Sequence, residues 1–184
     1  MINLSHSRLS SKNTKILRIG TIVFLMASIP NLVWGQTHPD DEKDTKEKVV
    51  AEAAWQLPPP PTSEDLLRFY VSLTTGQSFA IDAKSLTVDT DGVIRYTIVS
   101  TSSSGAKNIS YEGIRCASHE KKLYALGHAD GTWARARNPD WEPISGKGAN
   151  LQHATLANDY FCKDGLTAGK ADKILDAIRY HRVQ

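Results

Sequence analysis

Across residues 66–137, short runs of apolar, β-branched and aromatic residues alternate with clusters of Gly, Asp, Asn and Ser, the pattern of strands punctuated by turns. "LLRFYVS" (residues 66–72) and "QSFAID" (Gln77–Asp82) read as the first two strands, with "TTG" as the hairpin turn between them. Residues 85–88 add a short strand. "DTDG" (residues 89–92) then turns the chain into "VIRYTIVS", rich in β-branched and aromatic residues. After the polar loop "STSSSGAK", the stretch "NISYEGIRC" alternates again. Ile109, Tyr111, Gly113 and Arg115 share one face, and Ser110, Glu112, Ile114 and Cys116 the other. Apolar or aromatic residues on both faces predict a strand between two packed surfaces. "KKLYALG" and "GTWARAR" supply two further strands.

From Asn138 the pattern changes. "NPDWEPISGKG" is irregular, with too much Pro and Gly for a long element. Leu151, Ala154, Thr155 and Asn158 share a helical face that ends at "DYFC". "LTAGKADKILDAIRYH" (residues 166–181) is the best helix, with Thr167 placed to cap it and Leu166, Ala171, Ile174, Leu175 and Ile178 as its apolar stripe. Strands followed by helices predict an α+β fold, a mostly antiparallel sheet with C-terminal helices packed on it.

The N-terminal third reads differently. Arg8, Lys12, Lys15 and Arg18 precede "TIVFLMASIPNLVWG", an apolar run interrupted by Pro30. It falls short of the roughly 20 apolar residues of a spanning helix. Val33 and Gly35 are small enough for a cleavage site, so residues 1–35 read as a signal peptide, leaving no stable membrane span after cleavage. Retention as an anchor is the alternative. Residues 36–61 are polar and charge-dense and end in "LPPPP", which predicts a flexible charged leader and a proline-rich spacer. The same prolines are able to dock on an aromatic groove, although no flanking arginine pattern marks them as such a ligand. Residues 62–184 then form a single domain.

Export changes the charge argument. Residues 1–35 hold 4 of the 22 Lys+Arg and none of the 20 Asp+Glu, so the remainder carries 18 against 20, a net −2 rather than the whole-chain +2. There is no basic field to suggest nucleic acid as a partner.

Two cysteines in an exported chain point to one disulfide, Cys116 with Cys162, closing a long loop and tying the helical end to the sheet. A free nucleophilic thiol at Cys116 is the competing reading; it needs a depressed pKa and a base that the spacing does not supply. His119, His128, Asp130 and His153 are usable ligand types without compact metal spacing, so no metal site is expected. "DTDG" resembles part of a calcium loop, but its twelfth position is Ser100, where a bidentate glutamate is needed. No cofactor motif or nucleophile elbow is present. The more unusual patch is "GTWARARNPDWEPI". Trp133 and Trp141 bracket Arg135 and Arg137, and alternation puts Trp133, Arg135 and Arg137 on one face. Guanidinium groups beside indoles offer a ligand surface; equally, both tryptophans can close the core under the arginine stems.

"LLRFYVSLTTGQSFAIDAKSLTVDTDGVIRYTIVSTSSSGAKNISYEGIRC", "LYALGHADGTWARARNPDWEPI" and "NDYFC" together resemble the CNP1-like (cryptic neisserial protein 1-like) family of exported Gram-negative proteins. The resemblance implies a periplasmic or envelope location, a shared fold, and Cys116 and Cys162 as the family's cysteine pair. It brings no agreed catalytic residues. A weaker likeness, to small bacterial surface-adhesin domains, rests on the strand that ends at a cysteine. The function expected is a non-enzymatic module that binds an envelope protein or surface component. The alternatives are a small-molecule-binding module using Trp133, Arg135, Arg137 and Trp141, and a small hydrolase with a His/carboxylate site.

Overall fold

The computed structural model describes residues 51–72, 76–148 and 151–181, all within one compact unit, Thr45–Gln184. The expected signal peptide, the leader up to Val50 and the "TT" of the first hairpin turn lie outside the described residues.

The body is one antiparallel sheet. β1 (Leu66–Phe69), β2 (Gln77–Asp82), β4 (Val93–Ser102), β5 (Lys107–Arg115), β6 (Glu120–Gly127) and β7 (Trp133–Arg135) are hydrogen-bonded in the order β1-β2-β4-β5-β6-β7. Two short strands extend it: β3 (Thr87–Val88) pairs with β4, and β8 (Trp141–Pro143) pairs with β6. β8 lies within the stretch expected to be irregular. Trp141 there sits opposite Lys122 and Glu142 opposite Lys121, a three-residue pairing too short to leave a periodic signal in sequence.

The centre of the sheet is buried on both sides, as the mixed faces of "NISYEGIRC" suggest. On β4 every residue from Val93 to Val99 is buried. Ile94, Tyr96 and Ile98 point to the helical side, where they join Phe69, Phe79, Ile81, Ile114, Leu156, Phe161, Ile174 and Ile178 in the main core. Burying each large aliphatic or aromatic side chain contributes about 1.5–3 kcal/mol. Val93, Arg95, Thr97 and Val99 point the other way.

The helical layer follows the sheet. α1 (Leu151–Thr155) runs into a π-helical segment (Leu156–Phe161), then into a small hairpin of β9 (Cys162–Lys163) and β10 (Leu166–Thr167), then α2 (Ala171–Arg179). Asp164 (φ 53°) and Gly165 (φ 75°) form the hairpin turn, both with the positive φ of a type I′ turn. This hairpin corrects the expected start of the last helix. Thr167 pairs with Cys162 and does not cap; α2 begins four residues later, after Gly169 (φ 136°), and Leu166 is 71% exposed. Ile174, Ala177 and Ile178 are its buried stripe.

Cys116, one residue past β5, and Cys162, at the start of β9, are joined by a disulfide with Cα atoms 5.5 Å apart. The bond clamps the helical layer to the sheet. For a separation of 46 residues, loop closure in the unfolded chain contributes about 4 kcal/mol.

Candidate functional site

The face of the sheet turned away from the helices carries an aromatic and cationic surface, and local sequence explains how it is built. Gly113 on β5 has no side chain; a Cβ there would sit 2.9 Å from the Tyr124 ring and hydroxyl and 3.1 Å from Val93. The β5–β6 register shifts between Tyr111 and Glu112, so Tyr111 faces Ala125 while Glu112 faces Leu123, leaving Tyr124 as the extra residue of a bulge. The bulge and the missing side chain let the Tyr124 ring lie over the sheet. It meets Tyr111 (centroids 5.5 Å apart), which meets Trp133 edge-on (6.3 Å).

Residues 51–61 lie across this face as an extended strap. Trp55 packs tilted against Tyr124 (centroids 4.5 Å apart) and Tyr111 (6.0 Å), and the Arg135 guanidinium sits 5.1 Å from the Trp55 ring. Trp133 Nε1 donates to the Pro58 carbonyl at 2.9 Å. In the proline-rich run read from sequence as a spacer, Pro58 is thus tied to the sheet, while Pro59 and Pro60 are exposed.

Under the strap lies a charged cluster centred on Arg95, 0% exposed in the middle of β4. Its Nη1 donates to Asp89 Oδ2 (2.5 Å), and its Nη2 to Asp91 Oδ2 (2.7 Å) and Glu52 Oε1 (3.1 Å). Glu52 also accepts from Lys122 Nζ (2.6 Å) and from the Tyr124 hydroxyl. Burial pushes the Asp91 carboxyl up, but bonds from Arg95 and from the main-chain N–H of Ala53 and Val93 hold it below the usual range. Glu52 follows the same logic: burial raises it, and Lys122, Tyr124 and Arg95 lower it further. The Tyr124 hydroxyl is pushed up, by burial first and then by its bond to Glu52. The "DTDG" carboxylates therefore neutralise a buried guanidinium.

At the β8 end of the same face, the Arg115 guanidinium lies 4.1 Å from the Trp141 ring, and Lys122 Nζ lies 5.6 Å from it. Lys121 pairs with Glu142 at 2.8 Å. Arg135 and Arg137 are both exposed, with Arg137 just beyond the end of β7. Trp133 and Arg135 share the face, as alternation along "GTWARAR" suggests, but the stacking partners differ from the neighbours in sequence. Arg135 covers Trp55, and Arg115 covers Trp141.

A second polar cluster is sealed on the helical side. Glu112 accepts from His153 Nε2 (2.7 Å), Ser110 Oγ (2.6 Å) and the Tyr96 hydroxyl (3.1 Å). Burial pushes the Glu112 carboxyl up, yet His153, Ser110 and Tyr96 together hold it below the usual range. Tyr96 is raised well above its usual value, by burial and then by the Glu112 charge. His153 is 6% exposed, and its Nδ1 has no hydrogen-bond partner among the described residues.

His119 and His128 are exposed in turns, and Asp130 accepts from Thr132, so the four residues weighed as a ligand set do not converge. Among the described residues no three His, Cys, Asp or Glu side chains gather as a metal ion requires, and no helix is long and apolar enough to cross a membrane. Sequence reasoning missed Glu52, Trp55, Arg95 and the Glu112–His153 pair. Arg95 carried a signal: a lone charge inside "VIRYTIVS", with two carboxylates in the turn before it.

These features define an α+β protein with a disulfide-clamped helical layer on one side of its sheet and an aromatic, guanidinium-bearing surface on the other. The chain belongs to the CNP1-like family, whose profile matches residues 45–179, strap included. It is similar to cryptic neisserial protein 1 of Neisseria gonorrhoeae (strain ATCC 700825 / FA 1090), with 28% identity over 146 residues covering 68% of this chain and 72% of that protein. No solved structure matches.

Proposed function

We propose that this protein is an exported module of the bacterial envelope that binds another envelope component without chemistry of its own. The observation that carries the reading is the division of its polar groups. The enclosed acids and bases are paired with one another, Arg95 with Asp89, Asp91 and Glu52, and Glu112 with His153, Ser110 and Tyr96, although Arg95 Nε and His153 Nδ1 have no partner among the described residues. The groups that reach solvent are the half-buried guanidinium–indole pair of Arg115 and Trp141, with Glu120 3.7 Å from Arg115, and the exposed Arg135 and Arg137. Such groups present flat apolar area beside fixed positive charge, which suits an anionic protein surface. A disulfide is at home in an oxidising compartment, in keeping with export.

A second reading, a small anionic ligand held by Trp133, Arg135, Arg137 and Trp141, draws support from the 4.1 Å stacking at Trp141, which pre-orders one wall of a site.

Retention of the purified protein on envelope fractions tests the reading. Wild type is expected to bind saturably, and a Trp141→Ala, Arg137→Glu variant about tenfold more weakly. Equal retention of the two would contradict it.

A further inference from the structure

We infer that the aromatic face of the sheet is a recognition groove for an extended, acidic, aromatic and proline-rich peptide, and that residues 51–61 fill it in cis. The inference rests on the reading of the protein as a binding module and names the kind of partner.

The strap is held as a ligand is held. Among the described residues no main-chain to main-chain hydrogen bond joins 51–61 to the sheet, so the strap is not a further strand. Its fixings are a carboxylate, a ring and a carbonyl, with Leu57 packed on the same aromatic cluster. Glu52 enters a cradle of three donors, the Arg95 guanidinium, the Lys122 ammonium and the Tyr124 hydroxyl. Trp55 lies against Tyr124 and Tyr111 with Arg135 over it. The Pro58 carbonyl accepts from the Trp133 indole. One main-chain group adds to these, the Ala53 N–H donating to Asp91.

Glu52, Trp55 and Pro58 stand at every third position, the repeat of a polyproline II helix, whose same edge returns every third residue. Pro60 follows, packed where Gly131 leaves room; a Cβ on Gly131 would lie 3.1 Å from its ring. A proline-rich run cannot enter a ladder, because it lacks N–H donors, but it loses little entropy on docking. Aromatic walls with an indole N–H aimed at a carbonyl are the recognised means of holding such a run.

The groove belongs to the sheet and does not depend on the strap for its charge balance. Arg95 keeps Asp89 and Asp91 without Glu52, and Lys122 keeps the Tyr124 and Trp141 rings at 5.3 and 5.6 Å. A partner segment with a carboxylate, then an aromatic ring three residues on, then proline three residues after that, meets the same contacts in trans. The strap is its competitor, holding the groove closed until such a segment displaces it.

The test uses the whole chain with a protease site introduced between Pro61 and Thr62, and a fluorescent synthetic peptide of sequence AEAAWQLPPPP. After cleavage the strap is a separate ligand. The cut protein is expected to take up the peptide saturably, about tenfold more tightly than the uncut protein, and a peptide with Glu52→Gln and Trp55→Ala about tenfold more weakly than the native one. An uncut Glu52→Gln, Trp55→Ala chain, whose own strap is weakened, is expected to bind the native peptide as the cut protein does. Equal binding by cut and uncut protein, no binding by either the cut protein or the uncut variant, or collapse of the cut protein when the peptide is washed out would each overturn the inference. Envelope retention through Trp141 and Arg137 is read separately. If it persists while peptide exchange fails, the binding module stands and the cis-occupied groove falls.

Discussion

Replacing Glu112 by glutamine removes one charge from the most enclosed polar cluster and changes almost no volume. The carboxylate accepts three hydrogen bonds, from His153, Ser110 and Tyr96. Bonds to a charged group contribute about 1.5–3 kcal/mol each, and removing one partner of a buried pair costs about 3–5 kcal/mol. The amide retains one acceptor oxygen, so Glu112→Gln is expected near the lower end, about 3 kcal/mol. His153→Gln loses the same pair and is expected to cost about 2–3 kcal/mol. The double variant is expected to lose less than the sum, with a coupling of about 2 kcal/mol. Urea unfolding with the disulfide intact, followed by tryptophan fluorescence, measures all four proteins. Glu112 also sets a pH response. Its folded carboxyl titrates below the unfolded value of about 4.3, so its contribution is present above that value and is lost as pH falls through the folded one. Wild type should therefore lose more stability on acidification than Glu112→Gln. Additive single effects, within about 0.5 kcal/mol, together with parallel pH curves, would refute the pairing as the anchor of α1 to the sheet.

Other substitutions probe the rest of the frame. Arg95→Met leaves Asp91 buried without its guanidinium and should cost about 3–5 kcal/mol by the same unfolding assay. Gly113→Ala drives a methyl into Tyr124 and Val93 and should cost about 1–3 kcal/mol, with a change in fluorescence from the neighbouring Trp55. Intact mass after alkylation without reductant should show no label on Cys116 or Cys162; replacing both by serine should lower stability by about 2–5 kcal/mol.

Much of this fold is legible in sequence where a local rule operates. The β-branched strands, the cysteine pair and the apolar stripe of α2 all follow from periodicity or counting. One misreading is a competition between two local signals; the other features hidden from sequence depend on tertiary context. Thr167 looks like a helix cap, yet Asp164 and Gly165 favour a type I′ turn, which draws it into a hairpin instead. At the prolines 58–61, nothing local reveals Trp133, 75 residues away, as the donor to Pro58. His153 lies 41 residues from Glu112, so nothing local marks the two as a pair. The Trp/Arg segment is visible as unusual, but its stacking partners, Trp55 and Arg115, come from distant strands and the strap.

Site-specific photo-crosslinking in the native host tests the central claim most directly. A photoreactive residue at Arg137, exposed just beyond the strand that carries Trp133 and Arg135, is expected to give a discrete adduct with an envelope component. The same residue at Leu166, exposed on the β9–β10 hairpin, is expected to give none. Matching adducts from both positions, or none from Arg137 in cells that export the protein, would contradict a binding role for this face.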